Sequence, residues 1–391
     1  MDTIDVVIIG GGINGAGIAQ CASAAGYSVL LLEKGAIGGQ TSANSSKLIH
    51  GGLRYLETGQ ISLVRNSLSE RRALLRLAPH LVKAVPFYIP VYDTSQRNQW
   101  AIRAGLTAYS VLSEFDPLGR FTSLPAVEWS KITGLKLQGL KAVFRYWDAQ
   151  TDDKALTQAV MRSAQDLGAQ VLSHAECDAI VHTPDYCEVS YLYQDDLVVQ
   201  RASCVINAAG PWVNDVIESL VPPMAKEHVD LVQGSHLLLD IPAPSGILYL
   251  ESCFDNRVVF VMPWKGKTLL GTTETILDKL DGKPESTREE ISYLLGIYKH
   301  YFPAQGSVEQ LEALIIDTFC GVRVLPKLNG SSFDRPREIL LKTSITHPRL
   351  MTLYGGKLTT FRTTSKEVVR WMASKLGKRI SIADVDITPI L

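Results

Sequence analysis

The sequence predicts an α/β protein: a Rossmann-type nucleotide-binding domain interleaved with a second domain of antiparallel sheet and helices. Three observations carry this. Residues 6–33 read as strand, glycine turn, helix and strand, the βαβ unit of a doubly wound sheet. Two further apolar runs end in small residues and turn into helices, at Val205-Ile206-Asn207-Ala208-Ala209-Gly210 and at residues 350–362. Between them, from Leu231 to Leu270, short apolar runs follow one another across tight turns, the pattern of an antiparallel sheet.

In the first unit, Val6, Val7, Ile8 and Ile9 form an apolar run suited to a buried parallel strand. Gly10, Gly12 and Gly15 follow in G-x-G-x-x-G spacing. Residues 13–25 read as a helix of small residues, including Ile13 and Asn14, stopped by Gly26. Val29 to Leu32 make a second strand with Glu33 and Lys34 at its end. Glycines at this spacing let the chain turn tightly, let a pyrophosphate approach the helix N-terminus and let helix and strand pack closely. An acid near the position of Glu33 can accept hydrogen bonds from a ribose hydroxyl.

A Gly/Ser-rich loop follows over residues 35–46 and continues as S-S-K-L-I-H-G-G-L-R-Y-L-E over 45–57. Hydroxyls of Thr41, Ser42, Ser45 and Ser46 and the peptides of Gly51 and Gly52 suit a phosphate and a flat ring. Arg54 and Tyr55 come next. Residues 61–81 read as a helix, apolar at Leu63, Val64, Leu68, Leu74, Leu75 and Ala78. Its other face is basic, with Arg65, Arg71, Arg72, Arg76 and Lys83. That face reads as solvated, with contact to anionic lipid the sharper alternative. Prolines 79, 86 and 90 punctuate an extended segment, residues 100–115 form another helix, and 116–141 read as irregular.

Residues 142–146 are a strand. Asp152 or Asp153 caps a helix whose stop is Gly168. Val171 and Leu172 begin a strand, and 188–193 with 197–202 read as a hairpin. The tip Ala208-Ala209-Gly210-Pro211-Trp212 is nearly bare of side chains and lets a bulky cofactor lie against backbone. His236 sits in the apolar strand G-S-H-L-L-L, where a lone histidine is ordinarily structural. Gly271-Thr272-Thr273-Glu274 closes the sheet, and Ser286 with Glu289 reads as a capping box. Arg323 lies among apolar residues and, if buried, needs an anionic partner. Arg335-Pro336-Arg337 precedes a strand at 339–341. The strand 350–353 runs into Gly355-Gly356-Lys357-Leu358-Thr359 and a last helix, stopped by Gly377. That junction can set amides and a positive helix end beside a charged group. The pattern gives a discontinuous nucleotide domain over residues 1–60, 142–228 and 315–391, with 61–141 and 229–314 forming the substrate or cap domain.

Bulk properties exclude other classes. Lys plus Arg number 39 and Asp plus Glu 40, a net charge of −1. That balance does not suit a nucleic-acid partner. The six cysteines are scattered and neither they nor the eight histidines show metal-ligand spacing, so no metal site and a reducing compartment are expected. The N-terminus lacks a signal-peptide pattern, and no run reaches the roughly 18–20 apolar residues of a membrane span. A cytoplasmic protein is expected, with peripheral contact at the cytoplasmic membrane left open.

A nicotinamide enzyme and a flavoenzyme can both begin with this βαβ unit. No second G-x-G-x-x-G occurs, so a flavin reduced by its own substrate is the simpler reading. Here the resemblance becomes specific. I-I-G-G-G-I-N-G-A-G-I-A, T-S-A-N-S-S-K-L-I-H-G-G-L-R-Y-L-E, N-A-A-G-P-W-V, Q-G-S-H, F-V-M-P-W, G-T-T-E, G-V-R-V-L and G-G-K-L-T-T-F-R cover nearly the whole chain. In that order they resemble the FAD-dependent glycerol-3-phosphate dehydrogenases of the D-amino-acid-oxidase-like superfamily.

The resemblance implies FAD as cofactor and oxidation of sn-glycerol 3-phosphate to dihydroxyacetone phosphate, with hydride passing from C2 to flavin N5. Electrons would go on to quinone, oxygen or a soluble carrier. It implies a substrate cluster of Arg54, Tyr55, His236, Arg323, Arg337 and Lys357, with His236 the leading base and Arg323 stabilising a developing alkoxide. FAD contacts are expected from Gly10, Gly12, Ile13, Asn14, Gly15, Glu33 and Lys34 in the first unit. Further contacts are expected from Thr41, Ser42, Ser45, Ser46, Lys47, Leu48, Gly51 and Gly52. The rest would come from Ala208, Ala209, Gly210, Trp212, Gly271, Thr272, Gly355, Gly356, Lys357, Leu358 and Thr359. Two departures stand out: Glu274 replaces the aspartate usual in G-T-T-D, and the sequence lacks the C-terminal helical domain of relatives, which leaves oligomeric state open. Two other readings remain: a related flavin oxidoreductase acting on another hydroxy acid or an amine, and a non-catalytic flavin-binding protein.

Overall fold

The computed structural model describes residues 3–114, 116–327 and 339–391. Among these, two sheets of nine and ten strands hold all the strands. In the first, Ile4–Ile9 pairs in parallel with Val29–Glu33 on one side and with the end of Asp196–Asn207 on the other. Gln170–Ser173 extends the sheet beyond Val29–Glu33, and Leu350–Tyr354 lies parallel beyond Asp196–Asn207. Residues 6–9, 29–32, 204–207 and 350–354 of these strands are buried and read as nearly continuous apolar runs, while Gln170–Ser173 at the edge is not buried.

The second strand of the expected hairpin and the strand after it are one element. Asp196–Asn207 pairs antiparallel with Cys187–Tyr193 over its first half and runs parallel with Ile4–Ile9 over its second. Gln194 and Asp195 make its turn at positive φ. Ala175–His182, read as no element in the sequence, pairs with Cys187–Tyr193. One face of this sheet packs on the helices Ile13–Ala24, Asp153–Asp166 and Phe361–Leu376, through Ala16, Ile18, Leu156, Val160, Phe361 and Val368.

The second sheet runs, in order, Thr275–Leu277, Val229–Pro242, Lys267–Gly271, Val258–Trp264, Ile247–Glu251, Val82–Tyr92, Leu140–Thr151 and Leu48–Ile49. Ile315–Pro326 pairs along the other edge of Val229–Pro242. The helix Arg288–Tyr301 covers one face through Leu294, Leu295 and Tyr298. The helices Ile61–Leu77 and Gln99–Leu112 cover the other through Val64, Leu68, Leu106 and Tyr109. Sheet membership cuts the chain at other points than 142 and 315. Leu140–Thr151 and Ile315–Pro326 belong to the second sheet because Val82–Tyr92 and Val229–Pro242 hold their backbone hydrogen bonds.

Three local readings need correction. The expected helix over 61–81 ends at Leu77, two residues before Pro79, which disfavours helix in the residue it follows. Its basic face is not a free stripe. Arg71 is fully buried on Asp148 at 2.7 Å, Arg65 pairs with Glu114 and Arg72 with Asp116. The capping box is Thr287 with Glu290, one residue later than Ser286 with Glu289. Ser286 turns its hydroxyl to Cys320 instead, at 3.3 Å. No helix among the described residues is long and apolar enough to cross a membrane.

Candidate active site

The ends of the parallel strands open on a cleft of about 470 Å³. Its floor is the glycine turn. Gly10 sits at φ +106°, and a Cβ there would lie 2.5 Å from the Ala208 carbonyl oxygen; a Cβ on Gly15 would lie 1.9 Å from the Gly10 oxygen. Only glycine permits these approaches, so the helix Ile13–Ala24 starts directly against the strand ends. Glu33 stiffens the turn: Oε2 accepts the Gly11 N–H at 2.6 Å and Oε1 the Gly35 N–H at 2.7 Å. Ser42 Oγ accepts the Ile13 N–H at 2.9 Å, and Thr41 donates to the Val322 oxygen at 2.7 Å.

The cleft brings together Gly10, Gly12, Ile13, Asn14, Glu33, Lys34, Thr41, Ser42, Ser45, Ser46, Leu48, Ala208, Ala209, Gly210, Trp212, Thr272, Gly355, Gly356, Lys357, Leu358 and Thr359. Lys34 lies 3.8 Å from the centre of the Trp212 ring. The cleft fits a long dinucleotide. It runs from the glycine turn past three strand ends to the second sheet, and the buried Asn14 Oδ1 in its wall has no hydrogen-bond partner among the described residues.

Several residues expected at the cofactor stand elsewhere. Lys47 is 5% exposed and turns away, its ammonium 2.7 Å from Asp153 Oδ1, because the first residue of the helix Asp153–Asp166 is a buried carboxylate needing a cation. Gly51 lies behind the site, its N–H on Tyr109 Oη at 2.9 Å. Gly15 is a packing glycine, and Gly271 packs under the His236 ring. Arg337 lies outside the described residues.

Gly52, Arg54 and Tyr55 line a second, smaller cavity of about 130 Å³, with Tyr146, Tyr249, Arg257, Phe260 and Glu274. Ser46, His50, Tyr55, Thr272 and Arg323 line both spaces. Arg323 Nη1 is 3.0 Å from Glu274 Oε1, so this glutamate is an anionic partner of the arginine. Lys357 Nζ lies 3.7 Å from the centre of the Tyr55 ring.

His236 is 2% exposed, stacks on Phe319 at 4.8 Å and shares a hydrogen bond with Ser46 Oγ through Nε2 at 2.9 Å. Burial foremost, then the cations Lys47 and Arg323, push its pKa down to about 3. The ring is therefore neutral at pH 7.

Sequence reasoning missed His50, although it adjoins Gly51 within the singled-out motif. It missed Arg257 and the cleft residues Ala175, Glu176, Cys177, Asp178 and Asp215. The strand Ala175–His182 alternates weakly between buried and exposed positions and gave no signal.

With this geometry in hand, comparison with known proteins is specific. The FAD dependent oxidoreductase family profile matches residues 5–362. The glycerol-3-phosphate dehydrogenase of Synechocystis sp. is 35% identical over 395 residues, covering 96% of this chain and 70% of its own. The D-erythritol 1-phosphate dehydrogenase of Brucella abortus is 34% identical over 367 residues, covering 92% and 72%. The structure of the Bacillus halodurans glycerol-3-phosphate dehydrogenase complexed with FAD superposes with a TM-score of 0.74 at 25% identity, covering 99% of this chain and 68% of the other. The FAD-bound L-α-glycerophosphate oxidase of Mycoplasma pneumoniae shares the fold, with a TM-score of 0.76 at 19% identity over 97% of each chain. FAD is the cofactor for which the cleft is built, and the chain belongs to the family of FAD-dependent oxidoreductases that includes the glycerol-3-phosphate dehydrogenases.

Proposed function

We propose that the protein oxidises sn-glycerol 3-phosphate to dihydroxyacetone phosphate. The observation that carries this is the second cavity, where Arg54, Arg257 and Arg323 converge beside tyrosines and against the cofactor cleft. A dianionic phosphate suits several guanidinium donors, each able to bind it bidentately. A carboxylate substrate offers fewer acceptors to the same donors.

Bound FAD supplies the two-electron acceptor for the hydride of C2. The chain's own residues bind, orient and take the proton. Arg54 and Arg257 hold the phosphate, and Arg323 faces the C2 oxygen, where it stabilises negative charge as the hydroxyl proton leaves. His236 is the acceptor of that proton because it is neutral at pH 7. So low a pKa also makes it a weak base that must pass the proton on quickly. Ser46 lines both cavities and is bonded to Nε2, so it carries the proton between substrate and ring.

Anaerobic mixing with sn-glycerol 3-phosphate tests the reading through bleaching of the oxidised flavin band near ~450 nm. Prompt bleaching supports it, and an unchanged spectrum overturns it. The similar identity to a D-erythritol 1-phosphate dehydrogenase favours one second reading, a longer polyol phosphate. Faster bleaching by D-erythritol 1-phosphate would select that reading. His236→Ala reducing flavin at the wild-type rate would remove His236 from the proton path.

A further inference from the structure

A buried carboxylate stands behind the second cavity. Glu290 is the third residue of the helix Arg288–Tyr301 and is 5% exposed. As a member of the capping box it accepts the Thr287 N–H at 3.1 Å. A capping box asks no more of it. Here four side chains from two strand segments also donate to it.

The donors follow the two-residue period of strands. Along Val229–Pro242, Gln233 Nε2 and Ser235 Oγ reach Glu290 Oε2 at 2.9 and 2.7 Å. The alternate residues Gly234 and His236 face the other way and line the cofactor cleft. On the neighbouring segment, Thr273 and Thr275 hydroxyls each reach Glu290 Oε1 at 2.7 Å. The alternate residues Thr272 and Glu274 line the cavities.

The ladder between these segments is irregular. His236 pairs with Gly271 and Gln233 with Thr275. Residues 272–274 therefore stand opposite only Gly234 and Ser235, a bulge, and bulges re-aim side chains at the cost of regular pairing. The missing ladder bond is replaced by the Ser235 N–H donating to Thr273 Oγ1 at 2.9 Å. Thr273 in turn is held by Glu290.

We propose that Glu290 is a positioning residue for the substrate site. Its carboxylate locks the 272–274 bulge and so aims Thr272 and Glu274, and through Glu274 the guanidinium of Arg323, at the phosphorylated substrate. This rests on the reading of the second cavity as a phosphate-ester site.

Three variants of the FAD-loaded protein test it. Glu290→Gln keeps the shape, and the threonine hydroxyls can turn round to accept from the new amide. Thr275→Ala removes one strand-side donor. Thr287→Ala removes the cap hydroxyl on the helix side and leaves the four strand donors in place. Each is measured for FAD content, Tm, the Kd of inorganic phosphate from perturbation of the flavin spectrum, and anaerobic reduction by sn-glycerol 3-phosphate.

Glu290→Gln is expected to retain FAD, raise the phosphate Kd about tenfold and slow reduction by a similar factor, since sub-ångström misplacement has effects of this order. Thr275→Ala should move both quantities the same way by about threefold. Thr287→Ala should lower Tm and leave both kinetic and binding values within about twofold. A Glu290→Gln protein within about twofold of wild type in both overturns the proposal. If that variant loses FAD or fails to fold, Thr275→Ala decides by the same criterion. A wild type that binds phosphate but is not reduced by sn-glycerol 3-phosphate sinks the substrate assignment alone, and the phosphate Kd still tests Glu290. A wild type indifferent to phosphate overturns both.

Discussion

Tyr109→Phe separates a structural hydroxyl from the site it supports. Tyr109 is fully buried and its Oη donates to Asp148 Oδ2 at 2.6 Å while accepting the Gly51 N–H at 2.9 Å. Asp148 also binds Arg71 at 2.7 Å, so the hydroxyl closes a buried triad around a charged acceptor. Phenylalanine fills the same space without the oxygen. Asp148 Oδ2 loses its donor, and the Gly51 N–H keeps only Asp148 Oδ1 at 3.3 Å. A hydrogen bond to a charged group contributes about 1.5–3 kcal/mol. For a chain of this length the unfolding entropy is about 0.8 kcal/mol/K, so the loss lowers Tm by about 2–4 °C. Gly51 leads directly to Gly52, Arg54 and Tyr55, which line the second cavity. Loosening it should raise the Kd of sn-glycerol 3-phosphate, read from anaerobic flavin reduction, by about three- to tenfold with FAD content unchanged. A Tm within about 1 °C of wild type would show that the bond adds nothing net. A lowered Tm with unchanged substrate Kd would show that the triad stabilises the core without holding the loop.

Gly15→Ala should abolish FAD retention, because its Cβ would lie 1.9 Å from a backbone oxygen and the helix must slide off the glycine turn; purification without a yellow cofactor band is the expected result. Lys47→Met leaves the Asp153 carboxylate buried without its cation and should cost about 3–5 kcal/mol, read as a fall in the denaturation midpoint, partly offset by the Ser45 bonds to Asp153. Stability should also depend on acid through His236, pushed to about 3 by burial, Lys47 and Arg323. An unfolded histidine binds its proton near 6.5, so between that pH and 3 the unfolded chain holds the extra proton. The contribution is complete above pH 6.5 and lost as pH falls, by about 1.4 kcal/mol per unit. His236→Asn should flatten that slope by one proton in denaturation measured from pH 7 to 5.

Local pattern carried the βαβ unit. Residues 6–9 and 29–32 of its strands are buried and apolar throughout, and Gly15 answers to Gly10 inside the unit, whereas Gly10 meets Ala208 and Gly17 meets Phe361 across the fold. Strands outside that unit were harder to read. In the first sheet, Ala175–His182 lies between Cys187–Tyr193 and Leu220–Val221 and carries mixed residues because Glu176, Asp178 and Val181 stay exposed. In the second, the pairing of Ile315–Pro326 with Val229–Pro242 joins residues about ninety positions apart in sequence.

The sequence by itself determined the family, the cofactor and the segments that form the cleft, because these depend on residue types at fixed short spacings. Only the tertiary structure decided what each charged group does. Arg71 reads as one of a row of surface cations until Asp148, 77 positions away, is folded against it. Lys47 reads as an FAD contact until Asp153, 106 positions away, takes its ammonium. Glu290, one residue past the glutamate read as the cap, gains four further donors only in the fold, and His236 resists protonation well into the acid range because the second sheet buries it beside two cations. Burial and ion pairing follow from what the rest of the chain brings alongside, and that is absent from any short window of sequence.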